Sequence, residues 1–148
     1  MIRKAGVPDV DAIVAMAGPF LNYSQFTDYT EIERDDVVFG ICNLIDNGII
    51  FVAEKEGKVV GCICGMVTNF WFARNTKVAA ELGWWVDEEH RGSTASIRLL
   101  QAFENWAKEH GVTVITMSDL VINGNTPVGP MYKKLGYELV ERAHVKGV

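Results

Sequence analysis

The segment from residue 77 to 120 constrains this chain more than any other. Two runs of strand character, "KVAAELGWWVDE" and "VTVITMSDL", flank a stretch in which Leu99, Leu100, Phe103, Trp106 and Ala107 recur at three- and four-residue spacing. That spacing predicts an amphipathic helix, stopped at His110-Gly111. Its apolar stripe must be covered, and a sheet holding both runs covers it. Strand, crossover helix and strand joined this way make a right-handed parallel unit. The second run is short and nearly all apolar, which predicts a strand buried on both faces.

The remaining segments extend that sheet. "MIRKA" reads as a short strand. The stretch after Pro8, "DVDAIVAMAG", reads as a helix with proline in its first turn, favoured there by Asp9 and Asp11 and stopped by Gly18-Pro19. Residues from Phe20 to Tyr29 lack periodicity and read as a loop before a second helix at about Thr30 to Asp46, with Asn47-Gly48 as the turn beyond it. "IIFVAEKEGKVVGCICGMVTNFWF" is a hairpin turning at "EKEGK". Residues 77–88 should lie antiparallel beside it, although Ala79 and Ala80 are weak strand formers. After "INGNTPVGP" come a short helix "MYKKL", ended by Gly136, and a last strand "YELVERAHV". The order β-α-α-β-β-β-α-β-α-β predicts one α/β (α+β) domain over residues 1–148. Its mixed, twisted sheet, antiparallel in the first half, carries helices on both faces.

Composition excludes several functions. The net charge of −5 argues against a broad phosphate-binding surface and so against a nucleic-acid partner, and it suits a cationic or amine-bearing one. No apolar run approaches the roughly 18 residues that span a bilayer, and the N-terminal stretch breaks at Pro8, Asp9 and Asp11 where a signal peptide needs an apolar core. A cytoplasmic protein without a membrane partner is expected. Cys42, Cys62 and Cys64 form no CxxC pair and read as small core residues. His90, His110 and His144 are isolated, so no metal site is expected.

The residues between the first run and the helix, "DEEHRGSTAS", raise the functional question. A helix start presents about three or four unpaired N–H donors and a partial positive charge, and small residues there let an anion reach the backbone. Gly92, Ser93, Thr94, Ala95 and Ser96 are such residues, Arg91 adds a cation and three of them add hydroxyls. A pyrophosphate suits the site. The same residues also read as an ordinary helix cap with a solvated arginine.

"AELGWWVDEEHRGSTASIRLL" and "NTPVGPMYKKLGYELV" together resemble the GNAT superfamily of N-acetyltransferases, and the order of elements agrees over nearly all of the chain. The hydroxyl-rich loop and brief tail are also similar to those of small phage-encoded members. The family's phosphate loop runs Gln or Arg, two variable residues, Gly, one variable residue, Gly or Ala. Arg91 takes the first place, Thr94 the Gly place and Ser96 the last. A β-branched Thr94 cannot take the positive φ open to glycine. The second stretch matches Asn-x-x-Ala-x-x-x-Tyr-x-x-x-Gly-Phe at Asn125, Tyr132, Gly136 and Tyr137, with Val128 in the Ala place.

The resemblance implies a GNAT-like sheet of about six or seven strands. It also implies a transfer from acetyl-CoA, or another acyl-CoA, to the amine of a small molecule or peptide, without a metal. Arg91 to Ser96 would hold the diphosphate, Asn125 the pantetheine arm, and Tyr132 would stand near the thioester sulfur as proton donor. A phenol titrates near 10 and a thiol near 8.5, so that proton transfer is uphill by about two units at most. Glu81 lies where the family often places a carboxylate base, unless it is a solvent-facing residue paired with Lys77; Asp119 is the reserve base. An N–H at about Trp85 or Val86 would meet the oxyanion, with Gly83 allowing a bulge. Trp84 and Trp85 must face opposite sides of the sheet unless the bulge intervenes. The triplet Phe70, Trp71 and Phe72 reads as a pocket wall or as a subunit contact in a homodimer. The rival reading is a non-catalytic CoA-binding or assembly protein that keeps the fold.

Overall fold

The computed structural model describes residues 1–148. In chain order the elements are β1 (Ile2–Lys4), α1 (Val10–Ser24), α2 (Arg34–Asn47), β2 (Ile49–Lys55), β3 (Lys58–Phe70), β4 (Ala73–Val86), α3 (Ala95–Glu109), β5 (Val114–Thr116) and α4 (Gly129–Lys134). The five strands form one sheet in sequence order. β1 to β4 are antiparallel, and β5 runs parallel to β4 after the α3 crossover.

Local chemistry sets the turns. Glu56 and Gly57 both take positive φ, 52° and 76°, which gives a two-residue link whose twist suits the β2–β3 hairpin. β3 and β4 outrun their neighbours, because β2 pairs only as far as Gly65 and β5 only with Val78 to Ala80. Residues 69–77 thus form a two-stranded arm, with Trp71 93% exposed at its tip.

β2 is buried on both faces, and its alternation divides the core. Ile49, Phe51 and Ala53 join Ile63, Ala79 and the α3 stripe of Leu99, Leu100, Phe103, Trp106 and Ala107. Ile50 and Val52 join Cys62 with Ile13 and Met16 of α1 and Ile41 of α2. Small residues under α3 are a packing requirement: a Cβ on Gly65 would meet the Phe103 ring at 2.8 Å and the Ala80 carbonyl oxygen at 2.3 Å. Ala79, fully buried, keeps its strand place for the same reason, and its weak propensity is overridden by tertiary contact. All three cysteines are free; burial pushes the Cys62 thiol up to about 12 and raises Cys64 as well, so both serve as apolar filling. No helix is long and apolar enough to cross a membrane.

Four expectations need correction. α1 does not stop at Gly18-Pro19 but carries Pro19 inside it and ends at Ser24. The turn beyond proline is held by packing, since Phe20 and Tyr23 lie 6.5 and 5.6 Å from the Trp85 ring. α2 starts at Arg34, four residues later than expected. β5 has three half-buried residues at the sheet edge and is not a long strand covered on both faces. Finally, the sheet has five strands, because residues 137–148 pair with nothing. Tyr137 donates to Glu104 Oε1 of α3 at 2.8 Å, so the chain leaves from the helix layer and not from the β5 edge, with Leu139 and Val140 exposed.

Candidate active site

The site grows from one irregularity in β4. Cys64 pairs with Gly83 and Gly65 with Glu81, so Leu82 is an extra residue, a β-bulge. Asp87 donates its N–H to the Val60 carbonyl at 3.0 Å, which makes Val60–Asp87 and Cys62–Trp85 the hydrogen-bonded pairs of the ladder. The Trp85 N–H is therefore turned to β3. Those of Trp84 and Val86 point the other way, to the side where β5 would continue but does not. Past Thr116 the pairing of the two parallel strands ends, leaving a wedge edged by free backbone of β4. Trp84 packs with the α3 core and Trp85 with the α1–α2 core.

Glu81 enters this wedge. It is 8% exposed, and its Oε2 accepts the Ser118 N–H at 2.9 Å. Burial pushes the carboxyl up to about 7, the single N–H donor offsetting only part of the desolvation. It is not paired with Lys77, whose Nζ reaches the His110 carbonyl. The same Ser118 accepts, through its carbonyl, the Tyr132 hydroxyl at 2.9 Å. Tyr132 is 8% exposed and rests 6.1 Å from Trp84. Burial, then the nearby Glu81 and Asp119 carboxyls, hold its phenol well above the usual range, so it stays protonated. Asp119 follows, one carboxylate oxygen buried without a partner and the other against Gly129 at the start of α4; burial raises it too. Glu81 and Tyr132 are thus joined through the backbone of one residue, Ser118.

The loop from Asp87 to Ser96 sits at the carboxyl end of β4. Positive φ falls on Gly92, at 79°, and Thr94 sits at φ −71°, an ordinary helical value. The expected conflict at Thr94 does not arise, since the turn that needs glycine lies two residues earlier. Ser93 is committed within the loop: its N–H and hydroxyl donate to the His90 carbonyl, and its Oγ accepts from Ala95. The N–H groups of Gly92, Thr94, Ser96 and Ile97 have no protein acceptor, nothing crowds Gly92, and the Thr94 and Ser96 hydroxyls are unbonded. Four open amides at the head of a fifteen-residue helix fit a diphosphate. A cavity of about 250 Å³ runs beside them, lined by Ser93, Thr94, Ala95, Arg98, Lys55 and His90 among others.

Arg91 does not aim at that helix start. Its Nε donates to the Val86 carbonyl at 3.0 Å, and its guanidinium lies 4.5 Å from the Trp85 ring. Asn125 is exposed in a turn, its amide on the Asn123 carbonyl. No group of three or more His, Cys, Asp or Glu side chains is placed to hold a metal ion. Sequence reading missed Ser118, whose part is played by backbone, and Tyr23, hidden in a segment read as loop although Phe20 and Tyr23 already stand one helical turn apart.

A buried carboxyl that titrates near neutrality and a protonated phenol, beside a wedge with outward amides and next to open amides at a helix start, have the chemistry to accept a proton from a nucleophile and to receive the negative charge of an acyl transfer. Known structures share the fold that carries it. A predicted acetyltransferase from Clostridium acetobutylicum, crystallised with acetyl-CoA, superposes with a TM-score of 0.76 at 17% identity, over 99% of this chain and 95% of that one. Ribosomal-protein-alanine N-acetyltransferase from Brucella melitensis biovar Abortus 2308 gives 0.73 at 12% identity, over 100% and 99%. AAC(6')-Iy, bound to a bisubstrate analogue joining CoA and acetylneamine, gives 0.74 at 14% identity, over 99% and 95%. At such identities the likeness is one of fold. No curated protein matches the sequence. Residues 13–137, however, match the sequence profile of the acetyltransferase (GNAT) family, and with that span, fold and site the chain belongs to the GNAT family of acyltransferases.

Proposed function

We propose that this chain transfers an acetyl group from acetyl-CoA, or a related acyl-CoA, to the amine of a small molecule or peptide by direct attack on the thioester. The observation that carries the reading is the Glu81–Ser118–Tyr132 constellation at the β4–β5 wedge. The amine nitrogen attacks the thioester carbon, and its proton passes to Glu81, whose affinity for protons near pH 7 suits a general base. The oxyanion takes the Val86 N–H, which points into the wedge. The C–S bond then breaks and the electron pair leaves on sulfur. Tyr132, with its phenol raised further than the sequence implied, turns its one O–H from the Ser118 carbonyl to the departing thiolate and keeps its proton. The open amides from Gly92 to Ile97 hold the diphosphate, and Asn125, at the rim, reaches the pantetheine arm. Acidic Glu81 and Asp119 favour a cationic acceptor.

The test is release of free thiol from acetyl-CoA in the presence of a panel of amines and peptide N-termini, with calorimetry for coenzyme binding. Acceptor-dependent release that falls about 10²-fold or more in Glu81→Gln is expected. No heat with millimolar acetyl-CoA overturns the reading. The exposed Trp71 at the arm tip supports self-association of two copies there; a Trp71→Ala variant that sediments as wild type does removes that part alone.

A further inference from the structure

Around Arg91 the fold has built a chain of contacts that links helix α1 to the amide cradle. The Tyr23 hydroxyl, near the end of α1, donates to Glu88 Oε1 at 2.8 Å. The same oxygen faces Arg91 Nη1 at 3.5 Å. The guanidinium is stacked over Trp85 and lies 5.6 Å from the Tyr23 ring, and its Nε holds the Val86 carbonyl. Trp85 is itself fixed by its indole N–H on Asp87 Oδ1 at 3.0 Å. Arg91 is therefore pinned on three sides, immediately before the positive-φ turn at Gly92 from which the free amides fan out. It also grips the carbonyl of Val86, whose N–H is the proposed oxyanion donor.

We infer that Tyr23 is a positioning residue for coenzyme binding: through Glu88 it fixes Arg91, and Arg91 sets both the cradle and the Val86 edge. Tyr23 touches no reacting atom in this account. Glu88 is the pivot because a single oxygen serves both partners, so removing the Tyr23 hydroxyl releases the carboxylate and loosens one of the three ties on the arginine. The linkage is reciprocal: an acceptor that shifts the end of α1 changes coenzyme affinity, and bound coenzyme changes acceptor affinity by the same factor. This inference rests on the acetyl-CoA reading above.

The experiment is a double-mutant cycle on CoA affinity, read by calorimetry, with Tyr23→Phe made in the wild-type and Glu88→Ala backgrounds. Phenylalanine keeps the ring against Trp85 and changes no charge, so the thermal midpoint serves as a control for folding. In the wild-type background Tyr23→Phe weakens CoA binding by up to about fivefold, the upper worth of one hydrogen bond to an exposed carboxylate. In the Glu88→Ala background the same change has an effect below about twofold, because the link is already cut. Equal losses in both backgrounds, or none in the wild type, overturn the inference while leaving the acetyl-CoA reading intact. Failure of the wild-type protein to bind CoA overturns both.

Discussion

Replacing Glu81 by glutamine should make the protein more stable and less active, each by an amount set by the same proton. The unfolded chain releases that proton near 4.5, whereas the folded one holds it to about 7. Between those values the native state binds the extra proton, so stability falls as pH rises through the window. The full loss is ~3 kcal/mol, from about 2.5 pKa units at 1.36 kcal/mol each. Glu81→Gln never ionises, and its side-chain oxygen still accepts the Ser118 N–H. Thermal melts of both proteins from pH 4.5 to 8 should therefore converge at the acid end and separate toward neutrality, the variant melting about 6–12 °C higher at pH 8. Other carboxyls are common to both proteins and cancel in the difference. Acceptor-dependent activity of the wild type should rise over the same interval, toward a plateau above pH 7, and the variant should lose that limb. A difference between the two melting curves that does not change with pH would refute the reasoning, since it would mean that the buried carboxyl carries no protonation cost.

Three further outcomes follow from the geometry. Tyr132→Phe should lower kcat about 10²-fold through loss of the hydrogen bond to the leaving sulfur, and cost ~1 kcal/mol of stability for the Ser118 contact, measured by kinetics and denaturant melts. Gly65→Ala should destabilise by ~2 kcal/mol or more, since the new methyl meets backbone and the Phe103 ring, and an unchanged denaturant midpoint would contradict that packing. Asp9→Ala should cost ~2 kcal/mol, because the buried Asp9 carboxylate takes both guanidinium nitrogens of Arg3 at 2.8 Å and the Gly6 N–H at 2.9 Å. Arg3 holds the Asp9 carboxyl below its ordinary value, so this contribution is present above pH 4 and fades as the wild type is acidified.

The elements that came through clearly from the sequence are those whose pattern is set locally. The α3 stripe of Leu99, Leu100, Phe103, Trp106 and Ala107 is the buried face of that helix, and Glu56-Gly57 forms the hairpin turn that its residue types suggest. Gly136, at φ 87°, closes α4 as expected. What stayed hidden depends on partners remote in the chain. Pro19 stands inside α1 because aromatic contacts to Trp85, 65 or so residues away, hold the next turn. β5 is short because the Ser118 amide goes to a side chain and not to β4. "YELVERAHV" has strand composition, but a strand forms only where an edge is offered to it. For the site, the residue types pointed to Glu81, Tyr132 and the loop, while the direction of each β4 amide depended on a bulge whose place Gly83 only suggested. Arg91 could not be placed from sequence, because its stacking on Trp85 and its tie to Glu88 are products of the folded loop.

Leu82 shows how much can hang on one unpaired residue. It shifts the phase of β4 by half a pleat, and everything downstream inherits the shift. Were the bulge ironed out, with Leu82 paired to Cys64, the two tryptophans would exchange, sending Trp85 under α3 and Trp84 toward α1. The guanidinium would lose its aromatic bed, and the amide of Val86 would turn from the mouth of the wedge into the ladder. A one-residue slip elsewhere in an exposed strand is a local change; here it would unmake the proposed anion cradle and oxyanion donor together without touching a residue of either.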